Sequence, residues 1–215
     1  TTASAAQNQK AINRAISLAS KKGGKVVIPA GTWNTGAIEL KSGVNLVIEE
    51  GATLRFAFEP KLYPLVRTSW EGLACWNYSP CIYAYQAKDI AITGKGTIDG
   101  GGNNDTWWQW NGNPRFGFKA GVTTESQKLG SRSKLLKQAE DGVAFDERKF
   151  GMGQGLRPQL INFVRSERIL IKDVKMINSP FWVIHPLLCK NITVDGVYIW
   201  NEGPNGDGCD PEACE

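Results

Sequence analysis

Apolar residues near the start of the chain recur with the spacing of an α-helix. Polar and charged residues fill the intervening positions, and Gly23-Gly24 provides the flexible backbone that is typical of a helix C-terminus. The pattern predicts one amphipathic helix over residues 5–22. Its apolar face follows the i, i+3, i+4, i+7 spacing at Ile12, Ala15, Ile16 and Ala19.

From Lys25 onward the pattern changes to short β-branched runs between Gly, Pro, Asn and Asp residues. Such runs predict strands of a few residues that are joined by turns. The clearest runs cover residues 26–28, 44–48, 90–92, 169–171 and 192–194.

The apolar positions of these runs keep a common register. When the chain is aligned on Leu46, Ile90, Ile169 and Ile192, apolar residues recur two and eight positions further on. Leu46 and Ile90 are separated by 44 residues, or two turns of 22, and Ile169 and Ile192 by 23, and a repeat of this length with short strands indicates a parallel β-solenoid. The recurring residues are Ile48, Ile92, Ile171 and Val194, then Leu54, Ile98, Ile177 and Trp200.

A solenoid has an end at which backbone groups and apolar side chains lack partners. The helix over residues 5–22 is placed to cap that end. A β-sandwich is the competing all-β architecture, but it favours hairpins with two-residue turns, whose signals are sparse here. We therefore predict an all-β fold: a single parallel β-helix domain over residues 1–215, incomplete at its C-terminal end, with an N-terminal capping α-helix.

Residues 101–158 interrupt the repeat. The segment begins with Gly and Trp, then becomes polar with some helical character over residues 128–140. An excursion this long is usually functional or disordered. Aromatic faces suit the C–H faces of sugars, and they equally anchor loops to a core. For Trp107, Trp108 and Trp110 we expect two anchors, and we take Trp108 as a candidate sugar contact.

Composition and charge exclude several classes of protein. The net charge is +4, from 25 basic and 21 acidic residues, and no block of Lys and Arg indicates a nucleic-acid binder. No apolar run has the length of a membrane span, and Thr1-Thr2-Ala3-Ser4 lacks the pattern of a signal peptide. We expect a monomer without a nucleic-acid or membrane partner.

The five cysteines are too few and too scattered for a disulfide framework. Cys75 could pair with Cys81, and Cys209 with Cys214, whereas Cys189 is typical of a buried thiol. The cysteine spacings and the single histidine do not fit a zinc site. We expect no metal and no other cofactor.

Candidate chemistry gathers in residues 203–214, where carboxylates and an Asn lie among Gly and Pro. This composition alone is typical of a surface turn. His185 precedes Asp207 by about one coil of the repeat, so we expect it on the adjacent coil and on roughly the same face. A lone His between apolar neighbours is as often structural as functional. Carboxylates held on a rigid coil suit general acid/base chemistry on sugars.

The segment Asn205-Gly206-Asp207-Gly208-Cys209-Asp210 resembles the Asn-x-Asp-Gly-x-Asp motif of glycoside hydrolase family 28, the polygalacturonases and related pectin hydrolases. Residues 23–33, 78–100 and 178–186 are similar to other parts of this family, so the resemblance covers nearly the whole chain. It implies a right-handed, pectin-lyase-like β-helix. It also implies inverting hydrolysis of α-1,4 bonds between galacturonate units of pectin or polygalacturonate by a secreted or periplasmic enzyme, whose signal peptide is not in this chain.

The resemblance also implies roles for individual residues. Asp207 corresponds to the aspartate that activates the attacking water, and Asn205 and Asp210 correspond to its motif companions. Gly206 replaces the usual Thr. We take Asp207 and Asp210 as catalytic candidates, and Asn205, His185 and Trp108 as substrate-binding candidates.

Other motifs of the family, which follow the Asn-x-Asp-Gly-x-Asp motif, do not occur after Asp210 in the chain. These are a Gly-Asp-Asp that carries the general acid one coil later, a His-containing motif and a substrate-binding Arg-x-Lys. We therefore expect the chain to be a fragment that releases no reducing ends from polygalacturonate by itself. If the insertion over residues 101–158 closes one end of the groove, the parent enzyme acts from chain ends.

Two other classes remain open. A polysaccharide lyase would use the same solenoid, but typically with Ca²⁺ and a basic residue, and its unsaturated products would absorb ultraviolet light. A non-catalytic carbohydrate-binding β-helix would tolerate the loss of Asp207. The Asn-x-Asp motif favours the hydrolase over the lyase.

Overall fold

A computed structural model describes residues 3–215, so Thr1 and Thr2 of the N-terminal segment lie outside the described residues. The helices are α1 (Ala5–Ala19) and α2 (Ser131–Glu140). The first strands are β1 (Gly24–Ile28), β2 (Gly31–Thr35), β3 (Ile38–Glu39), β4 (Val44–Ile48), β5 (Ala52–Phe56), β6 (Leu65–Trp70), β7 (Leu73–Tyr78) and β8 (Ile82–Tyr85). The later strands are β9 (Lys88–Thr93), β10 (Thr97–Asp99), β11 (Ile161–Val164), β12 (Glu167–Lys172), β13 (Lys175–Ile177), β14 (Ile184–Leu187), β15 (Lys190–Asp195) and β16 (Tyr198–Trp200).

The strands stack into three parallel sheets. Sheet A has the order β1-β4-β9-β12-β15, sheet B the order β2-β5-β10-β13-β16, and sheet C the order β3-β8-β11-β14. Successive coils each add one strand to a sheet, and apolar side chains from all three sheets fill the interior. The parallel pairing confirms the predicted β-helix and excludes the sandwich.

Helix α1 covers the first coil, as predicted. Ser4 caps it with a reciprocal box: the Gln7 amide donates to Ser4 Oγ at 3.3 Å and the Ser4 amide donates to Gln7 Oε1 at 2.9 Å. Ile12 and Ile16 are buried against the core. The helix ends at Ala19 rather than at residue 22, because residues 20–22 form a turn that leads into Gly23 at φ +75°.

The predicted register is correct for the later coils of sheet A, where Ile169 pairs with both Ile90 and Ile192. It is wrong by two residues for Leu46, which pairs with Ile92. Strands β4 and β9 are direct neighbours, so no complete coil separates them. The extra residues form the antiparallel hairpin β6–β7 instead.

The predicted register of sheet B is also correct only in part. Leu54 pairs with Ile98 as expected, but Ile98 continues to Met176 rather than to Ile177. The turn between β12 and β13 is one residue shorter than the turn between β9 and β10. The inward-facing residue of β13 is therefore Met176, one position before Ile177. For the same reason Trp200 points outward and is 56% exposed.

The insertion over residues 101–158 contains α2 and short 3₁₀ helices and lies against the coils. Trp107 and Trp110 are buried in the core and pack edge-on against Phe58, which confirms two anchors among the three tryptophans. The 3₁₀ segments of the chain are Pro60–Leu62, Trp107–Asn111, Pro114–Phe116, Gln127–Leu129 and Phe145–Glu147.

All five cysteines are free thiols in the described structure. Cys81 belongs to the solenoid core, whereas Cys75 belongs to a separate apolar cluster under the hairpin, so the two cannot form the suggested bridge. Cys214 donates to the Pro186 carbonyl instead of pairing with Cys209. Cys189 is buried, as expected. Neither helix described within residues 3–215 is long and apolar enough to cross a membrane.

Candidate active site

The outward face of sheet C carries a row of polar side chains on adjacent coils. Tyr83, Asn162 and His185 occupy the same position on β8, β11 and β14. Parallel bridges from Ile184 to Cys209 and from Leu187 to Glu212 add a further short strand beyond β14. Because strands pair residue by residue, this register places Asp210 beside His185. The row therefore ends in a carboxylate.

The same register corrects the expected relation between His185 and Asp207. The two lie on adjacent coils, as predicted, but the residue opposite His185 is Asp210. The local coil is longer than the sequence repeat indicates. Asp207 lies in the turn that precedes this strand, at the N-terminal edge of sheet C, where its carbonyl accepts from the Val183 amide at 2.9 Å. Its carboxylate is exposed.

Residue 206 lies at the centre of this turn, where the family motif usually has Thr. A Cβ atom on Gly206 would lie 2.3 Å from Nδ2 of Asn201. A side chain therefore fits only if Asn201 moves. Asn205, immediately before it, adopts the left-handed conformation at φ +55°, which Asn tolerates better than most residues.

Asp210 is half-buried beside this turn. Its Oδ2 atom is buried without a hydrogen-bond partner. Burial raises the pKa of this carboxyl, and the charge of Asp207 raises it further, whereas His185 opposes the shift. Two neighbouring carboxylates in unlike environments, one exposed and one held towards its neutral form, are a common arrangement for proton transfer.

His185 is completely buried, and both of its ring nitrogens have partners. Nδ1 lies 3.2 Å from Nε2 of Gln159 and 3.1 Å from Nδ2 of Asn162, and both of these amide nitrogens are donors. Nδ1 must therefore accept, so the proton of the neutral ring is on Nε2, which faces Oε2 of Glu212 at 3.0 Å. The role of His185 in substrate binding stays a prediction. The ring is buried, and its Nε2 atom contacts a carboxylate.

Glu212 is that carboxylate, and sequence reasoning did not single it out. Its Oε2 atom accepts from His185 and, at 2.6 Å, from Ser69 Oγ. The hydrogen bond from His185 is the main cause that lowers the pKa of Glu212, and the bond from Ser69 adds to it. A usable signal was present, because residues two apart on a strand share a face, and this places Glu212 on the face of Asp210.

The hairpin β6–β7 covers the outward face of sheet C. Tyr83 Oη donates to the Arg67 carbonyl at 2.7 Å, Thr68 Oγ1 donates to Asn162 Oδ1 at 2.9 Å, and Ser69 reaches Glu212. Consecutive hairpin residues thus contact successive coils, so β6 runs along the solenoid axis. It covers the central positions of this face, whereas Tyr85, Val164 and Leu187 at the strand ends line an open cavity of about 420 Å³ beside it. Closure of one end of the groove by the 101–158 insertion stays a hypothesis.

Trp108 is half-buried near the turn that carries Asn205. Its Nε1 atom donates to the Ser179 carbonyl at 2.9 Å, and its ring lies against Gly102 and Gly203. The ring also lines an open cavity of about 440 Å³ together with the ion pair between Arg55 and Asp99, which is 2.9 Å long. The cavity leaves room for a ligand beside the ring. The role of Trp108 as a sugar contact stays a prediction.

Within residues 3–215 no group of three or more His, Cys, Asp or Glu side chains is arranged to hold a metal ion. Asp210 instead lies near Asp207 and His185, and Asp207 is exposed.

Comparison with known proteins agrees with this geometry. The chain is 41% identical to an exopolygalacturonase from Thermotoga maritima, with a TM-score of 0.92, over 96% of this chain and 46% of that one. It is 29% identical to a Vitis vinifera protein named "Probable polygalacturonase", over 96% of this chain and 37% of that protein. A family 28 exopolygalacturonase from Yersinia enterocolitica has the same fold at 24% identity, with a TM-score of 0.66 over 94% of this chain and 37% of that one.

A scan of protein-family models gives no match. The chain spans less than half the length of the Thermotoga and Vitis proteins. The resemblance to the family 28 polygalacturonases is confirmed, and the fold is their right-handed parallel β-helix.

Proposed function

We propose that this protein is a glycoside hydrolase that cleaves α-1,4 bonds between galacturonate units of pectin or polygalacturonate. One observation carries the proposal. The Asn-x-Asp-Gly-x-Asp turn presents the exposed carboxylate of Asp207 next to Asp210 at the edge of sheet C, in a chain that is 41% identical to an exopolygalacturonase.

Asp207 is the general base in this proposal. Its carboxylate is open to solvent, so it can accept a proton from the water that attacks the sugar. Asp210, whose pKa is raised, interacts electrostatically with Asp207. It lies on the short strand that pairs with β14 and so fixes the position of the turn. An inverting reaction needs a general acid about 6.5–9.5 Å from the base, and the resemblance assigns it to a Gly-Asp-Asp motif that residues 1–215 do not contain.

The test uses the full-length protein with polygalacturonate. The hydrolase releases reducing ends without ultraviolet-absorbing products, and Asp207→Asn lowers kcat by about 10²–10⁴-fold while substrate binding is retained. Unsaturated products would identify a lyase. Binding without release of reducing ends would identify a carbohydrate-binding β-helix. Either result would overturn the proposal.

We also propose that the enzyme acts from chain ends. The support is the hairpin β6–β7, which covers the middle of the outward face of sheet C as far as Glu212 and so narrows any groove on that side of Asp210. A long substrate should then yield only mono- or disaccharides. A ladder of intermediate oligomers at early times would contradict this.

The proposed site of action is outside the cytoplasm, by secretion or in the periplasm, because a polymeric substrate does not cross a membrane. We propose a monomer, which light scattering of the purified protein checks.

A further inference from the structure

Arg157 is a wholly buried arginine that lies directly beneath the candidate turn. Its Nη1 atom donates to the carbonyls of Pro180 at 2.9 Å and Pro204 at 2.7 Å. Its Nη2 atom donates to Asn205 Oδ1 at 2.6 Å and to Gln127 Oε1 at 3.1 Å. One guanidinium therefore joins the 101–158 insertion, the segment before β14 and the turn of Asp207.

All four of these acceptors are neutral. Among the described residues no carboxylate lies within ion-pair distance of Arg157, and its Nε atom is buried without a partner. The guanidinium lies 5.1 Å from the ring centre of Phe181, which adds a cation–π contact. Burial lowers the pKa of Arg157 to about 9. A buried charge of this kind is costly and survives only where its hydrogen bonds are well made.

The contacts to the turn have a geometric consequence. Asn205 is in the left-handed conformation, and Arg157 holds both its side chain and the carbonyl before it. Asp207 follows two residues later, and its carbonyl is fixed by the Val183 amide. Hydrogen bonds thus fix the backbone on both sides of Gly206, although Gly itself is the most flexible residue.

We infer that Arg157 is a positioning residue: it holds the turn of residues 204–207 so that Asp207 faces the substrate. The inference rests on the proposed function only for its catalytic part. The structural part, that Arg157 fixes the turn, is tested without substrate.

The variants are Arg157→Gln, which removes the charge, and Arg157→Lys, which keeps it but offers an ammonium in place of the planar fork. Arg168→Gln is the matched control, because Arg168 makes a surface ion pair with Asp89 on sheet A, away from the turn. We expect Arg157→Gln to lower kcat by about 10²-fold with little change in KM, since misplacement of a catalytic group affects the chemical step. We expect a smaller loss for Arg157→Lys and none for Arg168→Gln.

The split between kcat and KM separates this role from a purely structural one. A loss confined to kcat in a folded Arg157→Gln, with partial recovery in Arg157→Lys, is the result expected for a misplaced catalytic group. A folded Arg157→Gln with the kcat of the wild type would overturn the inference.

Amide hydrogen exchange gives the readout that needs no activity. The amides of Val183 and Ile184 donate to the carbonyls of Asp207 and Gly208, so their protection reports on the turn. We expect faster exchange at these two amides in Arg157→Gln, with β9 unchanged. If the wild type is inactive on every pectic substrate, the proposed function fails, and the exchange data still decide whether Arg157 holds the turn. If Arg157→Gln does not fold, Arg157→Lys decides: wild-type exchange and wild-type kcat in that variant would overturn the inference.

Discussion

Ser69 Oγ donates a hydrogen bond of 2.6 Å to Oε2 of Glu212 and so joins the hairpin β6–β7 to the coil that carries Asp210. Ser69 is buried, and the acceptor is a carboxylate whose other contact is His185. The bond thus links the hairpin to the edge of sheet C that carries the candidate turn.

The first prediction concerns this bond. Ser69→Ala should lower the free energy of unfolding by about 1–3 kcal/mol, because it removes a hydrogen bond to a charged group. Loss of the Ser69 contact should also raise the pKa of Glu212. Urea denaturation measures the first effect, and Ser133→Ala, an exposed substitution on α2, is the control. Equal free energies of unfolding for Ser69→Ala and Ser133→Ala would contradict the hydrogen bond between Ser69 and Glu212.

The second prediction concerns the tautomer of His185. Because two amide nitrogens face Nδ1, the neutral ring should carry its proton on Nε2. Nitrogen NMR should show an unprotonated Nδ1 and a protonated Nε2 near neutral pH, with the signals assigned by their loss in His185→Gln. A proton on Nδ1 would show that the side chains around the ring are arranged differently.

The third prediction concerns Asp210, whose substitution should stabilise the protein and remove activity. The pKa of Asp210 is higher in the folded protein than in the unfolded chain. Ionised Asp210 therefore destabilises the folded state: the loss begins as pH rises through the pKa of the unfolded chain, and it is complete above the pKa of the folded protein. Asp210→Asn should therefore raise Tm at neutral pH, and the difference should vanish in acid. Activity should fall by about 10²-fold or more.

Thermal unfolding over a range of pH tests the stability part. The control is Asp105→Asn, an exposed aspartate in the insertion, which should leave Tm and activity unchanged. A gain in Tm for Asp210→Asn that persists at low pH would exclude ionisation as its cause.

The fourth prediction compares two glycines of the same loop. A Cβ on Gly203 would lie 2.4 Å from two ring atoms of Trp108, whereas a Cβ on Gly208 would lie 3.5 Å from Ile199. Gly203→Ala should lower the free energy of unfolding by about 1–3 kcal/mol through overpacking, and Gly208→Ala should cost much less. Tryptophan fluorescence should change only in Gly203→Ala. Equal costs would show that Trp108 is free to move.

Much of the scaffold was predictable from sequence because it depends on short apolar runs. The helix cap and the strands of sheet A follow from inward residues such as Ile169 and Ile192, which alternate with polar ones. Sheet C was missed because its outward positions hold Tyr83, Asn162 and His185, and Pro186 interrupts the strand pattern. The hairpin was missed because its two-residue turn, Glu71-Gly72, is a weak signal inside a long interval.

The candidate site was predictable only where a motif marks it. Asn205 and Asp207 lie in one turn, and Asp210 lies close to Asp207 on the short strand that follows it. The roles of Glu212 and Arg157 depend on contacts with Ser69 and Gln127, which are far away in the sequence. A buried arginine has no local signature, since nothing in its neighbours shows that it will be covered.

The hairpin also constrains the order in which the chain can fold. Stacked coils form contacts mainly between neighbours, so the first coils can assemble in sequence as the chain is synthesised. Trp70, however, stacks on Phe181 at 5.1 Å and donates to the carbonyl of Arg157. Until those residues arrive, the hairpin exposes a large aromatic surface with nothing to cover it. The contact of Trp70 with Phe181 and Arg157 forms slowly because these residues are far apart in sequence. Until it forms, the hairpin is the part of the nascent chain most prone to aggregate.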